Sequence, residues 1–309
     1  MTPAPPQAGS VLVVGSVNRD YVCNVPELPR PGETVLGGDF FLSSGGKGAN
    51  QAVAAARMGA ATALIGCVGD DPDGRAVLED LRSSAVDTSD VTTVAGVRTG
   101  AAFVMVAHDG ENFIVVASGA NAKLDAEQVR AGIDRRLARG DVLVSQAEIP
   151  LPALVGAVAR ADELGARVVV NLAPFRMVPD EVLGVCDPLV VNEGEATALL
   201  HGVGRDRSDA EMMAAELGRL TRSAVITLGG AGAVYATGDV VRHVPSPAVA
   251  VVDSTGAGDA FTGALAASLC RGDDLPSAVR LGVEAGGYAV GRPGAQPSFP
   301  LAADLHADE

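Results

Sequence analysis

Asp253 and Asp259 flank the turn-forming residues of the run Val252-Asp253-Ser254-Thr255-Gly256-Ala257-Gly258-Asp259. The glycines permit a tight turn into a helix, predicted over the small residues Ala260 to Ala267, and such a turn leaves backbone N–H groups pointing outward. Those amides and the positive helix end suit an anion, above all a phosphate. A lone carboxylate there would simply cap its helix, but here two of them crowd a site built for anions. A turn that attracts phosphate and carries a potential base is what phosphoryl transfer to an alcohol needs. Upstream, residues 247–252 are apolar and partly β-branched, which predicts a short strand leading into the turn.

Other residues with chemical capacity sit where strands or helices begin and end. Gly45-Gly46-Lys47-Gly48-Ala49-Asn50-Gln51-Ala52 opens a helix running to about Met58, with Lys47 and Asn50 on its first turn. Gly-Gly before a helix can be only a turn, or can let the backbone approach a ligand closely. Residues 11–15 form an apolar run, as a strand buried on both faces would, and Asn18 and Asp20 lie just past it. Open α/β sheets bind ligands at that end of a strand, although an Asx-turn accounts for the same spacing. Glu148 follows the strand expected near 142–144, where it could equally complement a helix N-terminus. Asn192 and Glu195 have the spacing of a capping box. Thr227 lies near the end of a buried run at 224–228, Gly229 and Gly232 follow it, and a hairpin turn alone would explain Gly232.

Asp-Ser-Thr-Gly-Ala-Gly-Asp resembles the C-terminal signature of the ribokinase-like sugar kinases, the PfkB family, with Ser254 where that pattern usually has Thr. The segment from Gly45 to Ala52 resembles the family's N-terminal signature. The resemblance implies that Asp259 acts as the base and that the amides of Gly256, Ala257 and Gly258 cradle the transferring group. It implies sugar contacts from Asn18, Asp20, Gly46, Lys47, Asn50 and Glu148 as well as Asp259. It further implies nucleotide contacts from Asn192, Glu195, Thr227, Gly229, Gly232 and Gly258, with Glu195 organising Mg²⁺ through water. A monovalent cation, K⁺, would be held by Asp253, Thr255, Ala289, Arg292, Gly294 and Ser298. The implied reaction is ATP-dependent phosphorylation of a small sugar, first of all the 5-hydroxyl of D-ribose. Deoxyribose, a fructose-type sugar or a nucleoside is the alternative within the class, and Phe41, Phe103 and Phe113 are rings a nucleoside could use. A catalytically silent sugar-binding regulator is the alternative outside it, though such a protein needs neither Asp259 nor Gly-Ala-Gly.

The elements that must position these residues follow from periodicity. Strand and helix alternate through most of the chain, implying a mainly parallel central sheet covered on both faces; the resemblance makes this a three-layer αβα, ribokinase-like fold. Two stretches break the alternation, at about 19–44 and 98–118. β-prone pieces there, including 34–36, 39–42, 101–107 and 112–117, suggest one small sheet standing off the main domain, with a hairpin at His108-Asp109-Gly110-Glu111; the resemblance implies that this inserted sheet is a lid over the sugar. Residues 10–309 are thus expected to form one kinase domain behind a flexible tail, residues 1–9. An apolar lid face without a covering helix, together with the resemblance, points to a homodimer.

Composition sets the remaining limits. Hydrophobic residues make up 48% and aromatics only 3%, with Trp absent, so the core must be aliphatic and rich in Ala and Gly. A net charge of −15 argues against duplex nucleic acid as a partner, which would want a basic face. Lys47 and Lys123 are the only lysines. Cys23, Cys67, Cys186 and Cys270 are scattered without a ligand-like pattern and read as buried free thiols. The beginning of the sequence lacks a signal-peptide pattern and no apolar run reaches ~18 residues, so no membrane span and a cytoplasmic address are expected.

Overall fold

In the computed structural model of the protein, residues 9–108, 112–205, 207 and 209–305 are described. The expected tail, apart from Gly9, and the centre of the expected hairpin at 109–111 lie outside the described residues. The first part of the chain forms β1 (Ser10–Val14), β2 (Asn18–Val25), β3 (Phe40–Gly45), α1 (Lys47–Arg57), β4 (Ala61–Gly69), α2 (Pro72–Ser83), β5 (Val86–Val94), β6 (Gly100–Ala107) and β7 (Asn112–Ala117). The middle forms α3 (Ala126–Arg136), β8 (Val142–Gln146), α4 (Leu151–Glu163), β9 (Arg167–Asn171), α5 (Asp180–Leu183), β10 (Leu189–Asn192) and α6 (Glu193–Gly202). The last part forms α7 (Ala210–Leu220), β11 (Ser223–Thr227), β12 (Ala233–Thr237), β13 (Val240–Val244), α8 (Ala257–Cys270), α9 (Leu275–Val290) and α10 (Ala302–Leu305).

The main sheet has nine strands in the order β13-β12-β11-β10-β9-β8-β1-β4-β5. From β11 to β5 every pairing is parallel, and the β12–β13 hairpin adds an antiparallel edge. Alternation along each strand divides the core. Val11 and Val13 face the layer of α1, α2, α8 and α9, while Leu12 and Val14 face that of α3 to α7. Burial on both faces is why these strands read as continuous apolar runs. The core is aliphatic, as the composition requires, with Phe261, Phe299 and Tyr235 its buried aromatics. Cys67, Cys186 and Cys270 are buried free thiols, whereas Cys23 is only half-buried on the second sheet. Among the described residues, no helix is long and apolar enough to cross a membrane.

The second sheet, β3-β2-β6-β7, stands off the first. Its base is tied to α2: Tyr21 donates to Asp73 (2.7 Å), and Asp71 accepts from the amide and hydroxyl of Thr99 (2.8 and 2.6 Å). Cross-strand register separates its two faces. Asp20 shares one with Val22, Phe41, Val104 and Ile114, while Tyr21, Phe103 and Phe113 share the other. Two of the three phenylalanines named as possible nucleoside contacts therefore face away from Asp20.

Three local expectations fail. Residues 247–252 form no strand: Pro245 and Pro247 offer no N–H, and the segment's ladder-like bond is from Val252 to the Val290 carbonyl at the end of α9 (2.7 Å). Residues 34–36 lie in irregular backbone, with Leu36 exposed, because no strand pairs with them. β5, unrecognised in the sequence, closes the sheet edge beside β4 with a half-polar Asp-Thr-Ser-Asp-Val-Thr-Thr run that carries little apolar signal.

Candidate active site

The sheet order reverses at β1, whose neighbours are β4 and β8, and ligand crevices in open sheets form at such a point. The chain leaving β1 and the chain leaving β8 meet there: Ser16 Oγ donates to Glu148 Oε2 (2.5 Å). The same carboxylate oxygen accepts the Lys47 backbone amide (3.1 Å). Gly46, at φ 87°, starts α1 with its Cα pressed on the Ser16–Asn18 backbone; a Cβ there would come within 2.8 Å of the Asn18 amide nitrogen. This close approach puts Lys47 into the crevice.

Asp259 reaches the same place from the opposite end of the chain. Gly256, at φ 76°, turns the backbone into α8, and Asp259 lies in its first turn, 6% exposed. α8 can lie against α1 because Gly263 faces it; a Cβ at Gly263 would stand 2.4 Å from Ala54 Cβ and 2.6 Å from the Gln51 carbonyl. Across that contact Asn50 Nδ2 donates to Asp259 Oδ2, and Gln51 Nε2 to Oδ1, both at 2.9 Å.

Beside Asp259 lies a cleft of about 210 Å³ whose walls include Lys47, Asn192, Glu195, Thr227, Gly256 and Gly258. Gly258 faces open space, so a ligand can lie against its backbone. First-turn amides of a helix have no partner four residues back, which fits this end of α8 for an anion. The Ala257 amide already makes a long bond to the Ser254 carbonyl (3.3 Å).

Charge in the crevice is dense. Asp20 has its pKa raised from 3.8 to about 7, first by burial, then by the charges of Glu148 and Asp259, with Arg19 opposing. Its Oδ1 is buried without a hydrogen-bond partner. Asp259, followed by Glu148 and Glu195, raises the pKa of Lys47 and holds it as an ammonium ion, outweighing burial. Burial likewise raises Glu195, against its bond from the Asn192 amide and the charge of Lys47.

The structure thus brings Asp20, Gly46, Lys47, Asn50, Glu148, Glu195 and Asp259 into one neighbourhood. Asn18 lies on β2 with Asp20, buried, its Oδ1 accepting from Asn121 Nδ2 (2.8 Å). Asn192 and Glu195 form the full capping box, each side chain bonding the other's amide (2.8 and 2.9 Å), while also lining the cleft. The structural and functional readings of that pair coexist. Thr227 lines the cleft and Gly229, at φ 55°, stands open just beyond it. Gly232 is accounted for by packing, since a Cβ there would meet the Val244 carbonyl.

Asp253 accepts the Thr255 and Gly294 amides (both 2.8 Å); burial pushes its pKa up, but bonds from Thr255 and Gly294 hold it below the ordinary value. Ser298 is buried and donates to the Ala295 carbonyl (2.7 Å), and the Ala289 carbonyl accepts the Arg292 amide (3.0 Å). The Arg292 guanidinium instead lies over the Tyr288 ring, 3.5 Å from its centroid. Among the described residues no group of three or more His, Cys, Asp or Glu is placed to hold a metal.

Sequence reading passed over Ser16, Gln51, Gln146 and Asn171. The available signal was a polar side chain within or ending an otherwise apolar element: Gln146 closes β8 and Asn171 closes β9.

Residues 8–302 match the family model described as pfkB family carbohydrate kinase. The chain belongs to that family. Among its PfkB relatives, the ribokinase of Haemophilus influenzae is 37% identical over 293 residues, covering 94% of this chain and 95% of its own. The solved ribokinase of Thermotoga maritima superposes with a TM-score of 0.88 at 31% identity, covering 96% of this chain and 98% of that one. An Arabidopsis thaliana ribokinase complexed with ribose and ATP does so with a TM-score of 0.85 at 30% identity, covering 97% and 98%. This PfkB kinase therefore shares its whole architecture, and not only two short signatures, with these relatives.

Proposed function

We propose that the protein is an ATP-dependent kinase that transfers the γ-phosphoryl group to the 5-hydroxyl of D-ribose. The observation that carries this reading is the placement of Asp259: a buried carboxylate on the phosphate-binding end of α8, within the crevice that holds Lys47 and Asp20. Asp20, Glu148, Asn18 and Lys47 would grip the sugar's hydroxyls, with Gly46 letting it lie against the backbone. Asp259 accepts the proton of the attacking hydroxyl as the new O–P bond forms and the bond to the departing ADP breaks. The N–H groups of Gly256, Ala257 and Gly258 steady the negative charge on the transferring group. Thr227 and Gly229 would lie along the nucleotide, as would Gly232.

Glu195 and Asn192 offer hard oxygen atoms at the cleft but no closed cage, which fits Mg²⁺ retaining several waters. When bound, that ion would neutralise part of the charge on the nucleotide's phosphates. Asp253, with carbonyls of the 289–298 segment, is a donor set of the kind K⁺ takes, and Arg292 would contribute only its carbonyl. The second sheet is read as a lid over the sugar. Its other, aromatic face (Tyr21, Phe103, Phe113) is the surface we assign to pairing with a second copy of the chain. A nucleoside acceptor is disfavoured because Phe41 alone of the three phenylalanines shares the Asp20 face.

A coupled ADP-release assay across pentoses, deoxyribose, hexoses and nucleosides, with and without K⁺, tests the reading. Ribose should give the highest kcat/KM. Asp259→Asn should still bind sugar yet lose ~10²–10⁴-fold in kcat, about 3–5 kcal/mol of barrier. Wild-type turnover in that variant refutes the assigned base.

A further inference from the structure

Behind Asp259 lies a chain of buried amides with a single polarity. Gln51 Nε2 donates both to Asp259 Oδ1 (2.9 Å) and to Asn171 Oδ1 (3.0 Å), while its Oε1 accepts from Gln146 Nε2 (2.7 Å). Asn171 is oriented in turn by donating to the Val190 carbonyl (3.2 Å). Reversing the Gln51 amide would oppose its oxygen to two acceptors and its nitrogen to a donor. Gln51 and Gln146 are fully buried, where an unmade bond costs the whole desolvation of the group. Gln51 therefore presents one N–H to one carboxylate oxygen and has no second arrangement of equal energy.

We propose that Gln51, backed by Gln146 and Asn171, is a positioning residue that fixes the orientation of Asp259. The inference rests on Asp259 being the base. A carboxylate oxygen has two acceptor directions, so the Gln51 bond occupies one and leaves another for the alcohol proton. The partner is suitably neutral. Other charges already face Asp259, namely Lys47 from α1 and Asp20 from β2, with Glu148 after β8 facing both of these. Gln51 adds direction without adding to that charge.

The test is steady-state kinetics of Gln51→Met, of similar size but without a donor, over about pH 5 to 9. The expected result is a roughly 10–100-fold fall in kcat with the sugar KM within about three-fold, because aim and not binding is lost. In an Asp259→Asn background the same change should cost less than about two-fold, because no base remains to be aimed. Gln146→Met should produce a smaller loss of the same kind, roughly 3–10-fold, and it carries the test should Gln51→Met fail to fold. An unchanged kcat, a loss that falls on KM instead, or an equal loss in both backgrounds overturns the proposal. If the wild type shows no sugar-dependent ADP release, or Asp259→Asn retains it, the kinase reading itself falls and takes this inference with it. If the wild type releases ADP with sugar, Asp259→Asn does not, and only the Gln51 and Gln146 variants behave as wild type, this inference alone fails.

Discussion

Replacing Asp20 by Asn should make the protein more stable at alkaline pH while weakening its hold on sugar. Asp20 sits in the crevice with one oxygen buried and unbonded, and burial, then Glu148 and Asp259, raise its pKa from 3.8 to about 7. Between those two values the folded state holds a proton that the unfolded chain has released, so stability falls as pH rises through the window. The penalty is complete above the folded pKa and absent below the unfolded one. At about 1.4 kcal/mol per unit the shift corresponds to about 4 kcal/mol at pH 8. Water at the open mouth screens part of this, leaving roughly 2–4 kcal/mol. Asn has the same shape and no charge, so it escapes that cost. At about 2 °C per kcal/mol for a chain of this size, the Tm advantage of the variant should grow by about 4–8 °C from pH 4 to pH 8. Calorimetry on both proteins across that range reads it directly. An advantage that stays constant with pH, or a wild type that gains on the variant at pH 8, refutes the reasoning. The cost falls on binding. Bonds to a charged acceptor are worth ~1.5–3 kcal/mol, so the sugar KM should rise roughly 10–100-fold.

Two further substitutions probe the walls of the site. Lys47→Ala should raise the sugar KM by about ten-fold or more, as expected for loss of a charge-assisted bond; titration calorimetry with unchanged sugar affinity would mean that Lys47 does not touch the substrate. Gly263→Ala should cost roughly 1–3 kcal/mol, read as a lower denaturant midpoint, because its Cβ would drive α8 off Ala54 and the Gln51 carbonyl. It should lower kcat as well, since the same contact brings Gln51 to Asp259. A neutral result on both counts would contradict the close approach of α1 and α8.

The parallel strands were legible because burial on both faces writes them as unbroken apolar runs. The runs expected at 11–15 and 224–228 are β1 and β11 in the structure, each displaced by one residue. The residues of β5 were not legible, since an edge strand half open to water can be built from Asp, Thr and Ser, which propensity reads as loop. Residues 247–252 misled in the opposite direction: apolar and β-branched, they find no partner strand, and Val251 and Val252 remain exposed. For the site, residues whose backbone or charge is unusual (Gly46, Lys47, Asp259) announce themselves in the sequence. Gln51, Gln146 and Asn171 do not, because an amide's use depends on which atom of a distant side chain it meets. No spacing rule connects positions 51, 146, 171 and 259.

The scarcity of large side chains bears on how those positions meet. Asn50 and Gln51 have short reach, so they can hold Asp259 only if the α1 and α8 backbones lie close. Gly263 on α8, set against Gln51, Ala54 and Ala55 of α1, provides that closeness. Larger residues along this seam would fill the core equally well but would separate the helices, leaving Asp259 to water or to a longer, floppier partner. The small-residue composition is thus a condition of the site as well as of the packing. It also permits a division of charge within one crevice. Carboxylates Asp20 and Glu148 gather where β2 and the chain after β8 meet, and suit hydroxyl donors. The N–H groups that open α8 lie farther along, with Lys47 between, and suit phosphate. Asp259 stands on the seam of the two regions, which is where the proposed reaction would have a proton leave an alcohol as phosphorus arrives.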